Sequence, residues 1–277
     1  MASTFASNDA ILIHAAGVPT TRDLLPPLAG LSAVIPVHDE EANLLPMGEA
    51  VLAVLPRVAT RWELVVVDDG SRDATPAVAE ALAARCRAVR VVRHPVRRGY
   101  GAALRSGLAA ARHDVVFLTD GDRQFDPAEL ARLVPALADA DAVIGYRRAR
   151  ADPRGRRLAG SAWTRLVGLL LGVRVRDVNC AFKLIRRSAL EGVTLEAAGA
   201  AVSAELLVGL ARRGRRIVEV PVAHFPRPAG RPSGGDLRVA ARAALELLRL
   251  VRRTRHAALV ESHVRADVGS ALAADTD

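Results

Sequence analysis

Asp120 and Asp122 stand two residues apart around Gly121, directly after the apolar run Val115 to Thr119. In an extended segment, residues two apart point to the same side, and a glycine between them lets a ligand approach the backbone closely. Such a pair suits one divalent cation. Hard Mg²⁺ or Mn²⁺ prefers oxygen ligands and commonly bridges to substrate phosphates. An isolated Asp-Gly-Asp is an ordinary solvated turn, and its place at the end of an apolar strand is what favours the cation.

Acids recur at the ends of two other apolar runs: Asp39, Glu40 and Glu41 after Pro36 and His38, and Asp68 and Asp69 before Gly70 and Ser71. Ligands of open parallel sheets bind outside the carboxyl ends of the strands. Three such ends carrying carboxylates would repel one another unless a cation, or a sugar and base rich in donors, sat among them. Asp68 and Asp69 have two readings, as turn residues capping the helix that begins near Asp73 or as acceptors for a base or ribose. Glu40 would hold the same nucleotide from the first strand. Arg97-Arg98-Gly99-Tyr100-Gly101 opens a helix, either as a tight turn or with its amides facing an anion. The dinucleotide fingerprint is not met, because Leu104 takes the place of its third glycine.

The elements that must position these residues follow from periodicity. Short β-branched runs alternate with Ala/Leu-rich stretches, as in a parallel sheet wrapped by helices. Strands are expected at Ser32 to Val37, Glu63 to Asp68, Val89 to Arg93, Val115 to Thr119 and Ala142 to Tyr146. Helices are expected at Asn43 to Leu55, Asp73 to Ala84, Gly101 to Arg112 and Pro127 to Ala138, with Asp73 and Asp126 as N-caps. A second part holds helices near Leu158 to Leu171 and Val202 to Arg212, a polar segment through Asn179, a strand at Ile217 to Val220, and a final helix from about Asp236 to Arg253. The domain expectation is a flexible leader over 1–30, a catalytic domain over 31–235, an amphipathic helix over 236–256 and a mobile tail over 257–277.

The chain has 277 residues and enough apolar content for a core without staples. Cys86 and Cys180 match no zinc or redox spacing and imply unpaired thiols in a reducing compartment. The net charge of +9 is mostly arginine and suits nucleic acid, an anionic membrane or phosphate-bearing substrates. Acid-rich strand ends and the lack of interleaved aromatics argue against nucleic acid. No signal-peptide pattern is evident, and Leu166 to Val173 falls far short of the ~20 residues a membrane span needs. The expectation is a cytoplasmic protein, with any membrane contact peripheral.

Several segments together resemble family 2 glycosyltransferases of the GT-A fold, most closely the dolichol-phosphate mannose synthase-like branch that acts on polyprenyl phosphates. They are Ala33 to Glu41, Val65 to Asp73, Gly99 to Gly107, Thr119 to Pro127, Ile144 to Arg147, Asp177 to Arg186 and Glu219 to Val222. The resemblance implies an α/β fold with a mostly parallel central sheet and helices on both faces. It implies an inverting transfer of a sugar from a nucleotide diphosphate sugar to a lipid phosphate or a hydroxyl acceptor, with Mg²⁺ or Mn²⁺ as cofactor; a non-catalytic nucleotide-sugar-binding protein is the alternative from another class.

Carried over by position, Pro36, Glu40, Asp68, Asp69 and Asp120 would bind the nucleotide. Asp120, Asp122 and Gln124 would hold the cation and diphosphate. Arg147 and Arg227, with Arg157 as a third, would face phosphates of donor or acceptor. Asp177 would be the catalytic base for a hydroxyl acceptor, whereas an ionised phosphate acceptor hardly needs one. The chain departs from the family at His38-Asp39, where Tyr-Asn is usual, and in the ending Arg227-Pro-Ala-Gly230-Arg-Pro-Ser233, which lacks the final lysine.

In the last helix Leu237, Ala241, Ala244, Leu245, Leu248 and Val251 recur at helical spacing, flanked by Arg238, Arg242, Arg249 and Arg253. Either this stripe packs on the catalytic domain, or it lies on an anionic membrane surface.

Overall fold

The computed structural model describes residues 14–15, 26–230 and 239–256. The elements are β1 (His14–Ala15), β2 (Leu31–Val37), α1 (Glu41–Val58), β3 (Trp62–Asp68), α2 (Thr75–Arg85), β4 (Val89–Arg93), α3 (Tyr100–Ala110), β5 (Val115–Leu118), α4 (Leu130–Ala136), β6 (Ala142–Arg147), α5 (Arg154–Leu171), β7 (Lys183–Arg186), α6 (Val202–Arg212) and β8 (Ile217–Val222). A final helix, α7, covers 239–256. Short 3₁₀ turns at Pro127–Glu129 and Arg187–Leu190 precede α4 and follow β7.

One eight-stranded sheet runs β1-β8-β6-β7-β5-β2-β3-β4. All pairs are parallel except those of β7, which runs antiparallel between β5 and β6. The expected alternation of strand and helix holds from β2 to β6, and the mostly parallel sheet with helices on both faces is the architecture found. β2 is buried along its whole length because both of its faces are covered. Its odd-numbered residues, such as Leu31, Ala33 and Ile35, enter one core with α1 and α4. Val34 enters a second core on the opposite face with α3, α6 and α7.

Three expectations are corrected. β7 was not anticipated: four residues with a charged lysine give no period, and its partners are contributed by distant β5 and β6. The leader expected over 1–30 contains β1, which extends the sheet beside β8, and Leu28, which bridges to Ala59; the rest of that leader up to residue 25 lies outside the described residues, as does the tail over 257–277. The helix expected from Leu158 begins at Arg154.

Asp126 caps as expected, accepting from the Ala128 amide at 2.9 Å. Asp73 accepts from the Thr75 amide at 2.9 Å, two residues before α2 begins, so the N-cap is Ala74 and not Asp73 as expected. In α7 the inward face is Ala243, Glu246, Leu247, Leu250 and Val251, whereas Ala241, Ala244, Leu245 and Leu248 are exposed. The apolar stripe therefore does not pack on the domain, apart from Val251. Leu237 and Arg238 lie outside the described residues.

Candidate active site

The cleft opens where the β2 and β5 ladders part. β2 pairs with β5 only from Leu31 to Val34, while it pairs with β3 through Val37. Val34 accepts from the Thr119 amide, so the even-numbered residues of β2 direct their peptide groups toward β5. Pro36 has no N–H to offer, and it stands where no β5 partner remains to receive one. The resulting hollow of about 350 Å³ is lined by Pro36, His38 to Glu40, Asp69, Arg97, Tyr100, Asp120 to Asp122 and Arg227.

Asp120 and Asp122 sit at its floor. Gly121 is required because a Cβ there would lie 2.5 Å from Val37 Cγ1. The close approach is thus to a β2 side chain, while Gly121 itself also lines the hollow. Arg123 then takes a left-handed conformation, φ 62°, which turns the chain so that Asp122 accepts from the Gln124 amide at 3.1 Å. Burial holds both carboxyls above the ordinary carboxylate range, and the charge of Asp122 raises Asp120 further. The Tyr100 hydroxyl, the buried Lys183 ammonium and Arg147 offset part of this for Asp120. One oxygen of Asp120, Oδ1, is buried with no hydrogen-bond partner.

That orphaned oxygen fits a cation, because a buried carboxylate left unpaired is costly. No cluster of three or more His, Cys, Asp or Glu side chains able to hold a metal occurs among the described residues. The pair would therefore need oxygens from a substrate to complete the shell, as is usual for Mg²⁺ at phosphate-bearing substrates.

The other anticipated residues divide. Glu40 is buried at the cleft edge, where burial raises its carboxyl against hydrogen bonds from Asn43 and Arg227. Asp69 lines the cleft, but its oxygens are spent on the 94–99 segment: Oδ1 meets His94 Nδ1 at 2.7 Å and the Arg98 amide at 2.8 Å, and Oδ2 the Gly99 amide at 2.7 Å. These bonds overcome the upward effect of burial and hold its carboxyl low.

Asp68 is fully buried and does not line the cleft; its Oδ1 accepts from the Ser71 amide at 2.9 Å as in a turn, and its Oδ2, 3.4 Å from Arg93 Nε, has no hydrogen-bond partner. Gln124 does not line this hollow, and only its Nε2 is engaged. Its side-chain amide donates to the Phe225 carbonyl at 3.1 Å, and the Phe225 amide returns a bond to the Gln124 carbonyl at 2.9 Å, riveting the loop to the segment after β8.

Asp177 also departs from its expected role. Both its oxygens accept from Arg147, from Nε at 2.6 Å and Nη2 at 2.8 Å. Burial would raise it, but Arg147 holds it below its ordinary value, which is the wrong direction for a base. Neither residue lines the cleft, although the charge of Arg147 acts on both Asp120 and Asp122. Arg157 is exposed on α5, outside the lining. Arg227 does reach the cleft.

Sequence reasoning missed the side chains of Tyr100, Arg97, His94 and Lys183. Tyr100 was in view only as part of a glycine-containing turn. Its hydroxyl acts on Asp120 and lowers that carboxyl, while Gly99 and Gly101 lie so close to the Ala198 and Ala197 carbonyls that a Cβ would come within 2.5 and 2.0 Å. Two larger hollows, of about 640 and 620 Å³, lie elsewhere. In the first, Arg105, Arg186 and Arg187 are spent on backbone carbonyls. In the second, Arg242 and Arg253 pair with Glu246, Glu205 and Glu196.

A doubly covered, mostly parallel sheet with a carboxylate pair at the β5 end is the arrangement that the GT-A resemblance implies. The model of glycosyl transferase family 2 matches residues 32–194, more than half of the chain, and the chain belongs to that family.

Among curated relatives, dodecaprenyl-phosphate galacturonate synthase of Rhizobium johnstonii is 34% identical over 60% of this chain and 50% of its own length. Undecaprenyl-phosphate 4-deoxy-4-formamido-L-arabinose transferase of Pseudomonas paraeruginosa is 34% identical over 77% of this chain and 62% of its own. The chain thus spans between half and just under two thirds of these relatives. Among solved structures, glucosyl-3-phosphoglycerate synthase from Mycobacterium tuberculosis in complex with Mn²⁺, uridine diphosphate and phosphoglyceric acid superposes with a TM-score of 0.64. It is 26% identical, over 82% of this chain and 78% of that one.

Proposed function

We propose that this protein is an inverting glycosyltransferase that moves a sugar from a nucleotide diphosphate sugar to a polyprenyl phosphate, using Mg²⁺ or Mn²⁺. The observation that carries the reading is the half-buried Asp120 and Asp122 pair, with the buried, unpartnered Oδ1 of Asp120, at the mouth of a parallel sheet. A bound divalent cation would neutralise charge on the departing diphosphate. Around it, Pro36 and Glu40 would contact the nucleoside, Asp69 would hold the 94–99 segment so that Arg97 faces the diphosphate, and Arg227 would meet phosphate oxygens. Tyr100 orients Asp120. Arg147, fixed by Asp177, adds positive charge beneath the acids.

The state of Asp177 favours a phosphate over a hydroxyl acceptor. A phosphate oxygen is already ionised and attacks without surrendering a proton, so the absence of a poised base is no handicap. The relatives named for polyprenyl-phosphate acceptors support the same choice.

A lipid acceptor requires approach to a bilayer, and no helix among the described residues is long and apolar enough to cross one. Two helices carry surfaces suited to lying on it. α5 buries only Val167 and exposes Leu158, Leu166 and Leu169 beside Arg154, Arg157 and Arg165. α7 exposes Leu245 and Leu248 beside Arg242, Arg249, Arg252 and Arg255.

The test is incubation with GDP-, UDP- and dTDP-sugars, with and without a short polyprenyl phosphate, followed by mass detection of product. One donor should yield a glycosyl phospholipid only when a divalent cation is present, and Asp122→Asn should abolish it in a folded protein. Full turnover in excess EDTA would overturn the cation assignment; transfer only to hydroxyl acceptors would overturn the acceptor.

A further inference from the structure

The segment after β8 places a positive charge directly against the acids of the cleft. Arg227 Nη2 donates to Glu40 Oε1 at 2.5 Å, and Nη1 lies 3.6 Å from Asp122 Oδ2. Its Nε donates to the Ala229 carbonyl at 2.7 Å, and Asn43 Nδ2 reaches both that carbonyl, at 3.2 Å, and Glu40 Oε2, at 2.8 Å. The guanidinium side chain is 16% exposed, so its charge is only partly screened. The Gln124 and Phe225 backbone bond fastens the same segment to the loop that carries Asp122.

A divalent cation arriving alone would meet an Asp122 already compensated and a guanidinium that repels it. A diphosphate changes the balance. Guanidinium forks bind phosphate oxygens in charge-assisted, often bidentate pairs, a stronger arrangement than the single 3.6 Å contact to Asp122. Turning to phosphate would release Asp122 at the moment the diphosphate brings the remaining cation ligands.

We propose that Arg227 makes cation capture by Asp120 and Asp122 conditional on the donor's diphosphate: it stands in for the cation beside Asp122 until a diphosphate draws it away. This rests on the reading of that pair as the cation site and adds to it a rule of order. Two ligands coupled through one residue must show that coupling in both of their affinities.

The experiment is calorimetric titration of the full chain with Mn²⁺, with and without saturating UDP, for the wild type, Arg227→Gln and Asp122→Asn. Without nucleotide, Arg227→Gln should bind Mn²⁺ up to about fivefold more tightly than the wild type, the range a single partly screened charge is worth. With saturating UDP the difference should shrink or vanish, because the wild-type guanidinium has then turned to phosphate and no longer opposes the cation. Arg227→Met, which fills the space without charge, should behave alike and serves if the glutamine variant does not fold. A charge-free variant of native thermal midpoint that binds Mn²⁺ alone no more tightly than the wild type overturns the proposal. Asp122→Asn reports separately on the cation site itself: unchanged Mn²⁺ affinity there would remove the underlying reading.

Discussion

Replacing Asp177 by asparagine separates a tether from a base, because one role costs stability and the other costs rate. Asp177 and Arg147 are joined at 2.6 and 2.8 Å with side chains only 7% and 11% exposed. Asparagine keeps one acceptor but leaves the guanidinium with only the more distant Asp152, at 3.8 Å, as counter-charge. Breaking a buried pair from one side costs roughly 3–5 kcal/mol, and the retained acceptor places this case near 3. At about 2–4 °C per kcal/mol for a chain of this size, the thermal midpoint should fall by about 10 °C.

The pH dependence has a definite sign. Burial opposes ionisation of Asp177, but Arg147 brings its folded value below the unfolded 3.8. The stabilisation is therefore complete above the unfolded value and is lost only as pH falls through the lower, folded one. Thermal melts should show a constant gap between wild type and variant near neutral pH, closing only in strong acid. Transfer to a polyprenyl phosphate, assayed where the variant is folded, should fall by less than about tenfold, since no proton has to leave that acceptor. A variant as stable as the wild type but a thousandfold slower with the phosphate acceptor would refute this reasoning and return Asp177 to the role of base.

Burial, followed by the charges of Arg147 and Arg150, pushes His224 down to about 4. Its unfolded value is 6.5, so wild-type stability should be complete above that value and decline as pH falls from 6.5 toward 4; urea denaturation of His224→Gln should lack that decline. Gly101→Ala sets a Cβ 2.0 Å from the Ala197 carbonyl, and because that neighbour is backbone the strain cannot be relieved by a rotamer; donor affinity by calorimetry should drop as Tyr100 shifts off Asp120. Sedimentation with anionic vesicles at low salt should capture the protein, and Arg242, Arg249, Arg252 and Arg255 changed together to glutamine should release it, at about 1 kcal/mol per basic residue near the surface; capture unaffected by those four changes would exclude α7 as the contact.

The order of strands and helices from β2 to β6 was legible in the sequence because local periodicity follows from which faces a strand or helix buries. The gathering of acids followed too, since parallel connections bring every strand's carboxyl end to one edge of the sheet. The strand β7 was not legible: its four residues acquire their conformation from pairing with Val115 to Leu118 and Ala142 to Ile144.

The duties of the individual acids were likewise decided in three dimensions. Asp69 turns to His94, Arg98 and Gly99, 25 to 30 residues away, and Asp177 turns to Arg147, 30 residues away. Asp120 keeps one oxygen with no such partner. The outward face of α7 was misjudged for the same reason, because Glu246 enters the interior to accept from the Ala198 and Gly199 amides. Residue type and spacing determine that carboxylates meet at this edge, but a carboxylate's role depends on the nearest donor in space, and only the tertiary structure brings that donor to it.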